Sequence, residues 1–166
     1  MRFKIKEDSK VDFLAYAPLH KFRGNIEEGF SGSIEIDFEK KEITEIDIVV
    51  ETKFFKTGDF LKDKEMHKYI SSKKIKTASF KLKKFKKMKK LKKENYQIEL
   101  IGVLKFMDIE RDLDLKFTIE KKEDSIETVF KFVWSFKNYG LEPPHLLFIK
   151  VKDKVDITAI LSFELV

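Results

Sequence analysis

Four acidic residues, Asp108, Glu110, Asp112 and Asp114, stand at every second position, and paired carboxylates are the usual equipment of acid–base hydrolysis. Their spacing argues against that use. In an extended chain residues i and i+2 share a face, so all four carboxylates lie on one side and Leu113 and Leu115 lie on the other. A solvated strand face accounts for them without catalysis. The three histidines, His20, His67 and His145, include no pair at the i, i+2 or i, i+4 spacing that zinc sites favour, so no metal ligand set is expected. The chain has no cysteine, which excludes disulfides, iron–sulfur ligation and thiol nucleophiles. No Gly-x-Ser-x-Gly elbow, P-loop or Gly-x-Gly-x-x-Gly run occurs. No nucleophile has a visible activating partner, so the chain reads as a non-enzyme without a cofactor.

One segment is chemically unusual. Between Lys73 and Lys93 lie twelve lysines and no acid, in a chain of net charge +6, so the remainder of the protein is net negative. Leu82, Phe85, Met88 and Leu91 recur there at every third residue, a spacing that suits neither a clean strand nor a clean helix. The expectation is a strand around Ala78 to Lys84, then an exposed Lys-rich turn before the next strand at Tyr96. Three uses compete for it. It can be a solvated hairpin tip, a docking surface for anionic membrane or a diphosphate, worth about 1 kcal/mol per Lys near acidic lipid, or a nucleic-acid contact. The last use is disfavoured, because the segment lacks arginine and is poor in stacking aromatics.

The elements that would position these groups are strands. Apolar and polar residues alternate with period two at Val11/Phe13/Ala15/Ala17, Ile34/Ile36/Phe38, Ile46/Ile48/Val50 and Ile98/Leu100/Gly102/Leu104/Phe106. They do so again at Leu113/Leu115/Phe117/Ile119, Phe130/Phe132/Trp134/Phe136 and Val155/Ile157/Ala159/Leu161/Phe163/Leu165. Seven half-buried antiparallel strands joined by short polar turns need a common interior, as in a closed barrel. At 166 residues the chain is one domain, 1–166, long enough to bury about 70% of its unfolded surface. Phe3 to Lys6 reads as a charged edge strand that could pair between protomers, although its charges oppose this.

Seventeen phenylalanines are a heavy aromatic load, and eight of them, Phe13, Phe38, Phe106, Phe117, Phe130, Phe132, Phe136 and Phe163, fall with Trp134 on the inward parity. They can fill a small barrel outright. The small inward residues Ala15, Ala17, Gly102 and Ala159 would instead leave a lane beside the rings. Residue parity leaves both interiors open. Gln97 is the only glutamine, beside Asn25, Asn95 and Asn138, an amide-poor, charge-rich usage expected of a thermophile. The N-terminus has no apolar signal region and no window approaches 18 uncharged apolar residues, so a cytoplasmic location is expected.

Two stretches break the alternation. From Thr57 to Ile70 the pattern fits one or two helical turns over an end of the barrel, capped by Asp59 or Asp63, with Phe60, Met66, Tyr69 and Ile70 on an apolar face. Glu142-Pro143-Pro144-His145 must be extended, since proline bars a helix and removes ladder donors.

The first break also carries a family resemblance. Phe55-Lys56-Thr57-Gly58-Asp59 through Lys62-Asp63-Lys64-Glu65-Met66, then Ile70 and Ala78-Ser79-Phe80, resembles the threonine-glycine, basic-aspartate, methionine and aromatic-strand signature of YceI-like proteins. Tyr96 to Leu104 is similar to the family's glycine-centred strand, Tyr139-Gly140-Leu141 with Val151 to Ile157 to its closing strands, and Phe22-Arg23-Gly24 and Phe30-Ser31-Gly32 to its early glycine turn. Lys62 replaces the usual arginine, Asp8-Ser9-Lys10-Val11-Asp12 the usual Asp-Pro-x-His-Ser opening, and Met107 to Arg111 a loop that commonly holds a histidine.

The resemblance implies an all-β fold: an eight-stranded antiparallel, lipocalin-like barrel with a short helical segment at its mouth. It implies a carrier whose interior takes a long-chain isoprenoid-type lipid, such as an isoprenoid quinone or prenyl diphosphate, or another amphiphile. The residues expected to touch that ligand are Phe13, Ala15, Ala17, His20, Phe38, Phe60, Met66, Phe80, Gly102, Leu104, Phe106, Phe117, Phe132, Trp134, Ala159 and Leu161. His20, Lys62, His67 and His145 are the candidate polar contacts at the mouth. The competing reading is a barrel with a filled core, whose Lys-rich loop binds nucleic acid or an acidic partner.

Overall fold

The computed structural model describes residues 1–166. Its strands are β1 (Arg2–Ile5), β2 (Lys10–Ala17), β3 (His20–Ile26), β4 (Phe30–Asp37), β5 (Glu42–Glu51), β6 (Thr77–Lys90), β7 (Asn95–Phe106), β8 (Ile109–Lys121), β9 (Ser125–Ser135), two-residue β10 (His145–Leu146) and β11 (Ile149–Lys150), and β12 (Lys154–Leu165). One helix, α1 (Phe60–Ser72), joins β5 to β6, and no helix is long and apolar enough to cross a membrane.

The strand order β1-β4-β5-β6-β7-β8-β9-β12 closes on itself through a β1–β12 pairing, and every neighbour is antiparallel. This is an eight-stranded barrel, as the family resemblance implies; the alternation alone marks seven strands. The strand membership differs in one respect. Phe3 to Lys6 is no free edge: β1 is hydrogen-bonded on both flanks, to β4 and to β12, and it buries Phe3 and Ile5. The N-terminal half of β12 pairs instead with β2, and the β2–β3 hairpin extends the wall at that end, where Asn25 of β3 bridges to Lys56.

The period of three in the lysine run has a geometric cause. β6 continues to Lys90, well past the turn expected after Lys84, and its register against β7 slips between Leu82 and Lys84 and again between Phe85 and Lys87. Each β-bulge sets two residues of one strand against one of its partner. Leu82, Phe85 and Met88 therefore oppose Gly102, Leu100 and Ile98, three apart on β6 and two apart on β7, and all point inward. The extra residues, Lys83 and Lys86, reach across to Asp112 (2.8 Å) and Asp114 (2.9 Å) of β8. The acidic series is thus the outer face of a strand, and part of the lysine run is its counter-charge.

The helix is longer than the expected one or two turns. Asp59 caps it by accepting hydrogen bonds from the Leu61 and Lys62 amides, and Asp63 accepts from both the Thr57 amide and hydroxyl. No residue of α1 is fully buried. Met66, Tyr69 and Ile70 pack on the end of the barrel, whereas Phe60, expected on the same face, points to solvent.

Close backbone approaches fix two glycines. A Cβ on Gly32, at φ +119°, would lie 2.0 Å from the Asp47 carbonyl oxygen, and one on Gly102 would lie 2.1 Å from the Phe80 ring. Only hydrogen fits beneath either group.

Candidate functional site

The inward side chains form two groups. At the end closed by β1, Phe3, Ile36, Ile98, Leu100, Ile119, Ile126 and Phe163 are buried and pack into one cluster. At the α1 end a second cluster, including Phe22, Ile75, Phe136, Tyr139, Leu141, Leu146 and Val155, surrounds a chamber of about 220 Å³. The competing reading of a filled core therefore holds for only one half of the barrel.

Aromatic geometry explains the hollow. Phe106, Trp134, Phe136 and Tyr139 meet edge to face or stacked at centroid separations of 4.7–5.8 Å, arrangements that favour ring–ring contact. They brace one another along the wall rather than reaching across the lumen. Below them Phe80, Phe130 and Phe132 form the floor, with neighbouring centroids 6.2 Å apart, and Phe117 backs Phe130 at 5.5 Å. The Phe80 ring sits in the space left by Gly102.

Twenty-eight of the 34 lining residues are hydrophobic, so the chamber offers apolar burial and little hydrogen bonding. Of the residues singled out from sequence, Phe13, Ala15, Met66, Phe80, Leu104, Phe106, Phe132, Trp134, Ala159 and Leu161 line it. Six others do not. Ala17 packs in the cluster around the chamber, and His20 is exposed beyond the rim, stacked on Phe22 at 6.4 Å. Phe38 belongs to the far end, 6.3 Å from Phe3 and 4.9 Å from Tyr96. Phe60 is solvent-exposed, Gly102 is covered by Phe80, and Phe117 lies behind Phe130. Parity identifies which face a residue shares but not its height in the barrel.

Sequence reasoning left out several lining residues: Arg23 and Gly24 of β3, Thr52 and Phe55 after β5, and Leu141, Pro144 and Leu146 before β12. β3 lacks a clean alternation, and the others lie in irregular segments, so no periodic signal marks them. Arg23 is the one charged residue of the lining and is exposed at its edge. Lys62 stands close by, its Nζ 5.2 Å from the centre of the Phe22 ring. Thr52 is buried, with its hydroxyl donating to the Ile75 and Lys76 carbonyls. It is therefore engaged in structure.

The lid over the chamber is held by few polar contacts. The Tyr69 hydroxyl donates to the Glu142 carbonyl (2.6 Å), and a Glu65 carboxylate oxygen accepts from the Leu147 amide (2.8 Å). Burial pushes the Tyr69 phenol up to about 12, helped by the nearby Glu142 carboxylate. Burial likewise raises the Tyr139 phenol to about 12, and its hydroxyl donates to the Leu104 carbonyl (3.0 Å). Both phenols stay neutral and serve as fasteners. Just before β12, Asp153 accepts from the Ser135 hydroxyl and the Lys137 amide. Partial burial pushes its carboxyl up, but those bonds outweigh it and hold the group below the ordinary carboxylate range.

Closed antiparallel strands around an apolar chamber, with a loosely fastened helix across one end, define a small-molecule-sized β-barrel of the lipocalin-like kind. A YceI-like domain model matches residues 4–163, and the chain belongs to that family. Solved structures share the fold at low identity. A polyisoprenoid-binding domain from Saccharophagus degradans implicated in plant cell wall breakdown aligns with TM-score 0.77 at 13% identity, covering 99% of this chain and 98% of its own. Burkholderia cenocepacia BcnA aligns with TM-score 0.71 at 15% identity over 95% and 98%. A Campylobacter jejuni YCEI protein variant with a monobromobimane guest aligns with TM-score 0.65 at 15% identity over 89% and 86%. No curated protein sequence matches the chain.

Proposed function

We propose that this protein binds and carries an isoprenoid-type lipid, its tail in the chamber and its head group at the rim near Arg23 and Lys62. The observation that carries the reading is the almost wholly apolar chamber, open at its rim, in a barrel otherwise packed solid. The polyisoprenoid-binding name of the Saccharophagus domain supports the same ligand class.

The volume sets a scale for the tail. An apolar cavity of roughly 150 Å³ admits benzene, so 220 Å³ takes about ten carbons, or two isoprene units. At about 0.8 kcal/mol per buried methylene, ten carbons supply about 8 kcal/mol before association costs of several kcal/mol. A longer tail must extend past the lid or displace the floor rings. Burial of this kind gives affinity with little selectivity, and a quinone or diphosphate would be distinguished at the rim by the arginine fork and ammonium. α1 is the gate, since it covers the opening with no fully buried residue and two polar fasteners.

Native mass spectrometry of the purified protein, followed by organic extraction, tests the proposal. A stoichiometric isoprenoid or comparable amphiphile is expected. A bare polypeptide mass that stays bare after incubation with ubiquinones and prenyl diphosphates would overturn it. Charge reversal at Lys83, Lys84, Lys86 and Lys87 should leave lipid uptake in solution intact, which separates this reading from a basic-loop interaction module.

A further inference from the structure

The two ends of the barrel are finished differently. At the closed end the turns read Glu39-Lys40-Lys41, Lys92-Lys93-Glu94 and Lys122-Glu123-Asp124, the polar chemistry that surface turns usually have, and the exposed apolar residues there are Leu91 beside one turn and Met1, Leu165 and Val166 at the chain ends. At the chamber end, large apolar side chains stand in solvent. Leu19 of the β2–β3 turn is 102% exposed, Phe148 of the β10–β11 turn 100%, and Phe60 and Leu61 at the start of α1 are 79% and 57% exposed. Scattered exposed apolar residues need no explanation, but a group of them does.

Local contacts tie these tips to one end. The Leu147 amide bonds α1 through Glu65, the Lys152 amide donates to the Tyr16 carbonyl just before the β2–β3 turn (2.7 Å), and Lys62 reaches the Phe22 ring. All three tips therefore flank the lid and the rim of the chamber.

The backbone at these tips is also unfavourable for the residues it carries. Leu19 sits at φ +62°, Leu147 at +51° and Phe148 at +66°. Positive φ suits Gly, Asn or Asp and crowds the Cβ of bulky residues. Pro18-Leu19 and Leu147-Phe148 are two-residue connections in which Gly or Asn-Gly is the usual choice. Leu147 is half-buried, but Leu19 and Phe148 there cost stability and gain no burial within the chain.

Cations outnumber acids around the tips. Lys21 and Arg23 follow Leu19, Lys150 and Lys152 follow Phe148, and Lys73, Lys74 and Lys76 close α1, against Asp59, Asp63 and Glu65 beside Phe60 and Glu142, which lies 4.0 Å from Lys150. Apolar tips beside a net excess of Lys and Arg match the layering of an anionic bilayer, acyl chains within and phosphates at the surface. The same excess of positive charge opposes a second copy docked face to face.

The geometry points to a membrane-docking end: Leu19, Phe60 and Phe148 insert into the interface of an anionic leaflet, and the flanking cations contact its phosphates. This deepens the carrier reading, on which it rests for its purpose, because it sets the chamber's opening against the source of the lipid.

Co-sedimentation with vesicles of phosphatidylcholine and phosphatidylglycerol in equal parts, and of phosphatidylcholine alone, tests it. The native protein is expected to bind the anionic vesicles more tightly. Each removed tip should weaken binding by about tenfold, from the lost burial of a Leu or Phe, so the triple variant L19N/F60S/F148G should lose it nearly completely. Asn and Gly suit the turns, so that variant should melt at or above the native temperature, which separates lost docking from lost folding. Equal vesicle binding by the triple variant, or no binding by the native protein, would overturn the proposal. So would a native dimer that the triple variant dissolves, because a second copy would then be the tips' partner. Extraction tests the chamber separately: a protein that copurifies lipid but ignores vesicles sinks the docking surface and leaves the carrier reading standing.

Discussion

The closed half of the barrel and the chamber half are built from the same strands, yet one is solid and the other hollow. In the closed half, β-branched and leucine side chains from opposite walls interdigitate, and Phe3, Ile36, Ile98 and Phe163 are at most 1% exposed. In the chamber half, Phe106, Trp134, Phe136 and Tyr139 stack along the wall, and small residues such as Ala15 and Ala159 face the lumen. The closed-half rings of Phe3, Phe38 and Phe163 are embedded among aliphatic side chains that fill the space around them. The chamber-half rings stack on one another along the wall and face small residues across the lumen. Stability is thus concentrated at one end of the molecule and binding at the other.

Substitutions should separate the two. The largest effect is expected from Phe163→Ala, which empties a fully buried ring from the closed half and should cost about 3–5 kcal/mol in denaturant unfolding. Its effect on ligand affinity should be small, and a large loss of binding in the folded variant would break the division. Ala159→Phe on the chamber wall should do the reverse: uptake of a prenyl ligand should fall at least tenfold as its ring occupies the lumen, at a stability cost of about 1–3 kcal/mol. Native binding by A159F, measured by titration, would place the ligand elsewhere.

The smallest effect is titratable. The Tyr69 and Tyr139 phenols are raised from the ordinary 10 to about 12, so the folded state holds their protons more tightly than the unfolded state. The associated stability is complete below pH 10 and is lost as pH rises through 12. Tyr69→Phe should remove its share of that dependence and loosen the lid. Ligand exchange, followed by Trp134 fluorescence, should then quicken. Unchanged exchange would mean that the helix is not the gate.

Much of this architecture is written in the residue order. Period two at Val155 to Leu165 or Leu113 to Ile119 commits each strand to one buried face, because successive side chains in an extended chain alternate sides. Asp59 and the proline pair at 143 and 144 mark the helix start and an irregular return for equally local reasons. The lysine run misled the reading of β6 because two bulges change the apparent period, and a bulge becomes visible only when the partner strand is placed. β1 was equally opaque, since four residues with alternating charge look like an edge until β4 and β12 flank them.

The candidate site divides along the same line. The sequence by itself determined a set of half-buried antiparallel strands, the residues on their inward faces and a helix that interrupts them, because backbone geometry and side-chain alternation are local properties. Tertiary structure alone decided that the interior is solid at one end and hollow at the other, that Phe38 and Phe117 stand away from the chamber while Arg23 borders it, and that Leu19, Phe60 and Phe148 gather beside its lid. Those outcomes depend on height in the barrel and on which rings meet. Both are set by register and closure between residues far apart in the chain.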